Sequence, residues 1–276
     1  MKAISDTLIH FLGRGVKDNP AQQLVLFKEI LQKGLLCSYV ETTFSFFGIV
    51  TNSAVCFTDV PLNFCDDHTC VYGKFGIGFK KSFIKRVGGN PARYFVDHPL
   101  TQKTVKGVFE SRGVLFYNLT EILKSILILK EEVEKDDFDG LYVKNGNKLF
   151  SKEGVQNFIN LAIMGFSFDK PIGDLGSARD DTDDTDVYYK EREWRIVPTN
   201  AAMSNGSIIK VTKDKDFYYI PFSRKDVRII IVPNDDIKSM IINWFLEMRG
   251  STTDVRLASF GLDIPPILNY DELKYF

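Results

Sequence analysis

The stretch Phe75-Gly76-Ile77-Gly78-Phe79 leaves a chain little conformational choice. Large apolar side chains alternate with glycine at a period of two. Such a strand buries one face and, with no side chain on the other, lets something approach that face closely. Further short apolar runs read the same way. Ile4 to Phe11 alternates loosely and stops at Gly13-Arg14-Gly15. Val55 to Phe57 is closed by Thr58-Asp59-Val60-Pro61, and Tyr94 to Val96 follows the turn Gly88-Gly89-Asn90-Pro91. The final third adds Trp194 to Val197, Ile208 to Val211, Phe217 to Ile220 and Arg228 to Val232.

Between these runs the period changes to that of a helix. Asn19 caps, Pro20 suits the first helical position, and Leu24, Phe27, Ile30 and Leu31 share a face that Gly34 terminates. Asn118-x-x-Glu121 reads as a capping box ahead of Leu119, Ile122, Leu123, Ile126 and Leu127, with the charged run 130–137 as a solvated end. Ser151 caps a helix through Val155, Phe158, Ile159 and Ile163 that Gly165 stops, and Asp235 to Met248 has helical spacing. Cys65 to Cys70 reads as irregular, and Phe166 to Asp186 as a long loop.

The pattern predicts one mixed α+β domain over residues 1–276, and 44% hydrophobic residues with 23 Phe suffice for a sizeable core. A net charge of −1 excludes a general electrostatic pull toward nucleic acid. Lys80, Lys81, Lys85 and Arg86 keep a local nucleic-acid contact open. The opening residues lack the apolar core of a signal peptide, and windows such as Ile122 to Leu129 are too short to span a bilayer. The expectation is a cytoplasmic protein without a membrane partner, its four cysteines reduced.

Candidate chemistry gathers at two places. His10 and Arg14 put an imidazole and a guanidinium at the end of the first strand. Glu191, Glu193 and Arg195 lie at the mouth of a late strand that follows the acidic run Asp180 to Asp186. Residues two apart in a strand share a face, so the two carboxylates point together and raise one another's pKa unless a cation intervenes. Arg195 returns to that face; Arg192 points away. The alternative at this position is a structural ion-pair network. Cys65-x-x-His68-x-Cys70 lacks the second ligand pair of a zinc site, so no metal is expected.

Ile4 to Arg14, the helix ending Ile30-Leu-x-x-Gly34-Leu, Val55 to Leu62, Tyr72 to Lys80 and Glu191-Arg-Glu-Trp-Arg195 together resemble the bacterial AbiGi family. These are abortive-infection, phage-resistance proteins described as the antitoxin-like half of a two-gene system, which implies a cognate toxin as partner. More distantly, the layout is similar to ADP-ribosyltransferase-like proteins, which implies a mixed or antiparallel split sheet with flanking helices. It also implies NAD as substrate and a macromolecular acceptor. On that likeness His10 and Arg14 meet the ribose and pyrophosphate, and Phe57 and Thr58 line the nicotinamide pocket. Arg195 joins the cofactor contacts, and His10 counts among the catalytic residues. Glu193, the second acid of the Glu-x-Glu, stabilises an oxocarbenium-like charge, with Glu191 the other candidate for the catalytic Glu. The Ser-Thr-Ser signature of the arginine-modifying enzymes is missing around Phe57.

Overall fold

A computed structural model describes residues 6–44, 48–96, 99–104, 107–112, 114–143, 146–172, 192–211, 217–251 and 253–275. The chain is mixed α+β, and its contacts gather into two compact units. The first comprises Met1–Val40, Ser53–Pro91 and Lys190–Phe276; the second comprises Glu41–Asn52 and Ala92–Tyr189.

The sheet that dominates the first unit runs β13-β14-β2-β3-β1-β4-β15-β16, with β12 and then β5 added beside β3. These strands are β1 (Thr7–Phe11), β2 (Leu35–Phe44), β3 (Gly48–Thr58), β4 (Gly76–Lys80), β5 (Asn90–Pro91), β12 (Glu193–Ile196), β13 (Ile209–Lys210), β14 (Tyr218–Ile220), β15 (Val227–Val232) and β16 (Ile267–Asn269). Pairing is mostly antiparallel; β15 and β16 run parallel. The glycine-alternating segment is β4, with β1 on one edge and β15 on the other. Its bare face is needed there. A Cβ on Gly78 would sit 2.4 Å from Ile229 Cγ2 and 2.9 Å from Thr7 Cγ2.

The other face of β4 carries the main core. Helix α1 (Pro20–Lys33), α3 (Lys81–Arg86), α7 (Asp235–Ser251) and α8 (Val255–Leu262) deliver Phe27, Phe83, Phe245 and Phe260 against Ile77 and Phe79. Phe27 stacks on Phe75 at 5.1 Å and Phe245 on Phe260 at 5.7 Å. The bare side holds a smaller cluster of Ile9, Phe11, Val60, Cys65, Ile231 and Tyr270. α1 forms as its sequence predicts: Asn19 Oδ1 accepts from the Gln22 N–H at 3.1 Å, and the Gly34 N–H closes on Ile30 O at 2.8 Å. Buried Gln23 then ties this helix to the strand, donating to Leu12 O at 2.8 Å and Tyr72 O at 3.3 Å.

The second unit holds α4 (Val114–Val133) and α5 (Lys152–Phe166) around a core of Leu123, Ile126, Val133, Val155, Ile159 and Phe166. It also holds a parallel pair, β6 (Arg93–Val96) with β11 (Asp169–Ile172). Two hairpins complete it, β7 (Pro99–Thr104) with β8 (Gly107–Arg112) and β9 (Gly140–Tyr142) with β10 (Lys148–Ser151). Ser151 caps α5 as predicted, accepting from the Gly154 N–H at 3.1 Å. α4 starts at Val114, so Asn118 of the Asn118-x-x-Glu121 box lies inside the helix instead of at its N-cap. The segment read as irregular, Cys65 to Cys70, is helical: α2 spans Asp66–Tyr72, with Asp66 and Asp67 in the first turn where carboxylates favour the helix dipole. The long loop begins with β11, and residues 173–191, including Glu191 and the acidic run, lie outside the described residues. The short helix α6 (Asn200–Ser204) follows β12, its Ala202 N–H capped by Thr199 Oγ1 at 3.0 Å. No helix among the described residues is long and apolar enough to cross a membrane.

Candidate functional site

Strand β3 brings two distant parts of the sequence together. At Thr58 it has Ile9 of β1 on one side and Glu193 of β12 on the other. His10, Phe57, Thr58, Glu193 and Arg195 therefore lie on three neighbouring strands. Arg14 does not join them through any strand pairing; it is exposed in the 3-10 turn Arg14–Val16 beyond β1.

Register decides which faces these side chains take. Partners in an antiparallel ladder point the same way, so Ile9, Thr58 and Glu193 share a face, and Arg195 shares it through Cys56. His10 is one residue out of phase. It follows Leu8, Ile77 and Phe57 onto the main-core face, its ring 5.7 Å from that of Phe57. The imidazole and the Glu193 carboxylate thus leave the sheet on opposite sides.

On its own face Glu193 meets the cation that the period-two spacing predicts. Arg195 Nε donates to Glu193 Oε1 at 2.8 Å, and the two residues are 2% and 6% exposed. A carboxylate and a guanidinium so deeply buried must compensate one another, because either alone would carry several kcal/mol of desolvation cost. Phe57 packs edge-on against Phe79, and Thr58 Oγ1 accepts from the Val60 N–H at 3.2 Å to set the turn that ends β3.

Only one register pair joins β1 to β3 among the described residues, and His10 takes over where that pairing ends. Its Nδ1 lies 2.8 Å from the Cys56 carbonyl oxygen. A carbonyl can only accept, so Nδ1 carries the proton. Desolvation lowers the His10 pKa below its ordinary 6.5, against the opposing pull of the Cys56 hydrogen bond. A depressed imidazole pKa means that the unfolded chain binds the proton more readily. The contribution of His10 to stability is therefore complete above pH 6.5 and is lost as pH falls below it. We expect urea midpoints to drop between about pH 7.5 and about pH 5, and His10→Asn, which keeps an N–H donor, to flatten that slope. An unchanged slope in His10→Asn would assign the pH dependence elsewhere.

A second charged group stands at the rim of the main core, and sequence reading passed over it. Lys81 Nζ reaches Asp59 Oδ2 at 2.6 Å and lies 5.0 Å above the Trp194 ring. Asp59 also receives β12: its N–H donates to Arg192 O at 3.1 Å, and its Oδ2 is 4.0 Å from Arg192 Nη2. Arg192 is the single non-glycine residue with positive φ among the described residues, at 43°. Asp59 Oδ1 is buried with no hydrogen-bond partner among the described residues. The sequence signals were the turn Thr58-Asp59-Val60-Pro61 and the basic pair Lys80-Lys81; only strand pairing brings them together.

The basic run is partly spent within the fold. Lys81 serves Asp59, and Arg86 Nη2 donates to Asp226 Oδ1 at 2.8 Å. In the Cys65-x-x-His68-x-Cys70 segment, the Cys65 thiol points at the Val60 and Pro61 carbonyls, and burial pushes its pKa up to about 12. That keeps it protonated and unreactive. Among the described residues no group of three or more His, Cys, Asp or Glu is placed to hold a metal ion.

A protein-family model described as "Putative abortive phage resistance protein AbiGi, antitoxin" matches residues 38–233. The match runs from within β2 to the end of β15 and so includes Asp59, Lys81 and Glu193 to Arg195, while His10, Arg14 and α1 precede it. No curated protein and no solved structure matches the chain.

Proposed function

Because the chain belongs to the AbiGi family of abortive phage resistance proteins, we propose that it acts in phage defence as a non-catalytic, antitoxin-like protein that binds and restrains a partner toxin. The observation that carries this reading is the state of Glu193. Its carboxylate is buried, neutralised by Arg195, and on the opposite face of the sheet from His10. A carboxylate so paired and buried favours a structural role within β12. The family description, which names an antitoxin, supports the same reading.

The test is co-expression with the product of the adjoining gene. The expected outcome is that the chain relieves growth arrest caused by that product and co-purifies with it as a stoichiometric complex. Growth arrest that persists, with no complex, would overturn the reading.

A second reading draws on the adjacency of β1, β3 and β12, which sets His10, Phe57, Thr58, Glu193 and Arg195 on neighbouring strands. It is NAD-dependent ADP-ribosyl transfer on an ADP-ribosyltransferase-like split sheet. It predicts that NAD at about a hundred times its dissociation constant stabilises the protein by about 2.7 kcal/mol. It also predicts that Glu193→Gln abolishes NAD turnover at nearly unchanged Tm. No thermal shift and no nicotinamide release from the wild-type protein are the results expected under the first reading.

A further inference from the structure

Among the described residues, the rim cluster sets two cations, Lys81 and Arg192, beside one carboxylate, Asp59. Asp59 supplies one negative charge, and Lys81 already neutralises it at 2.6 Å with both side chains nearly buried. Arg192 stands a further step out, at 4.0 Å from the same oxygen, and its side chain is 45% exposed. Its guanidinium makes no hydrogen bond among the described residues, so its planar set of donors is open to solvent.

The backbone that carries that fork is tied down. Arg192 directly precedes β12, whose ladder with β3 is continuous from Glu193 to Ile196. Its own carbonyl is fixed by the Asp59 N–H, and its backbone occupies the left-handed region that asparagine or glycine would adopt at less cost. A side chain presented from a tethered backbone loses less freedom on binding than one on a free loop. Arginine matches a carboxylate bidentately and is among the residues that dominate interface energetics.

We infer that Arg192 is the anchoring contact for an acidic side chain of the partner protein, with Lys81 screening Asp59 so that the incoming carboxylate is not repelled. This inference rests on the partner-restraining reading. A protein carboxylate is favoured over nucleic-acid phosphates because Lys81 and Arg86 are engaged by Asp59 and Asp226 and the chain's net charge is −1.

The experiment measures the dissociation constant of the complex with the adjoining gene's product for the wild type, Arg192→Gln, Arg192→Lys and Arg192→Glu. Gln should weaken binding about thirtyfold at unchanged Tm, and Lys should recover only part of that loss. Arg192→Glu should be rescued by an acidic-to-basic exchange at one position of the partner. A complex that tolerates Arg192→Gln within threefold overturns this inference and leaves the proposed function standing; the absence of any wild-type complex overturns both. A twenty-nucleotide single strand that binds more tightly than the partner protein, and is lost in Arg192→Gln, would reassign Arg192 to phosphate contact and overturn it as well.

Discussion

Replacing Arg195 by methionine, with Glu193 left in place, should lower the unfolding free energy by about 3–5 kcal/mol. The guanidinium is 2% exposed and the carboxylate beside it 6%, so the single substitution strands an ionised or forcibly protonated acid within the sheet. The double variant Arg195→Met with Glu193→Leu removes both charges and should recover most of that loss, because apolar residues of similar volume replace buried ion pairs at little cost. Urea denaturation of the wild type, both single variants and the double variant closes the cycle. Losses that simply add would show that the two side chains are not coupled. The sign of the double variant also bears on function, since a pair kept only for structure can be replaced without changing partner binding.

The second large effect is expected at Gly34. This residue ends α1 with φ 107° and ψ 178°, a region that is essentially reserved for glycine. An added Cβ would also stand 2.6 Å from Ile220 O and 3.0 Å from Ile220 C, both backbone atoms of β14. Gly34→Ala should therefore cost about 3–4 kcal/mol, summing a strained backbone and a displaced strand. Gly88→Ala separates the two contributions. Its φ is 89° but nothing lies within 4 Å of the added carbon, so about 1–2 kcal/mol from strain is expected there. Equal losses at the two positions, measured by denaturant midpoints, would remove the steric part of the argument.

Gly34 also marks the boundary of what sequence reveals. α1 could be read completely because Asn19, Pro20 and Gly34 act within a few residues of one another. The Ser151 cap was legible for the same reason. α2 was missed because Cys65, at its N-cap, makes no side-chain cap hydrogen bond. The buried pair at Glu193 and Arg195 followed from strand period alone. The facing of His10 did not, because phase between β1 and β12 is set by register across β3, and a shift of one residue would have put both groups on one side. Asp59 with Lys81 was illegible for a related reason: their approach depends on how β1, β3 and β4 pair.

The order of strands in the first unit has a consequence for biosynthesis. β3 gains β12 along its edge only once residue 196 has left the ribosome, and β15 is flanked by β16 only once residue 269 has done so. Until then a nascent chain carries naked hydrogen-bonding edges beside a phenylalanine-rich surface, a state that invites capture by chaperones or by other nascent chains. Assembly that relies on such distant segments is slow. Output of active protein should then depend more on translation speed and chaperone supply than on the stability of the finished fold.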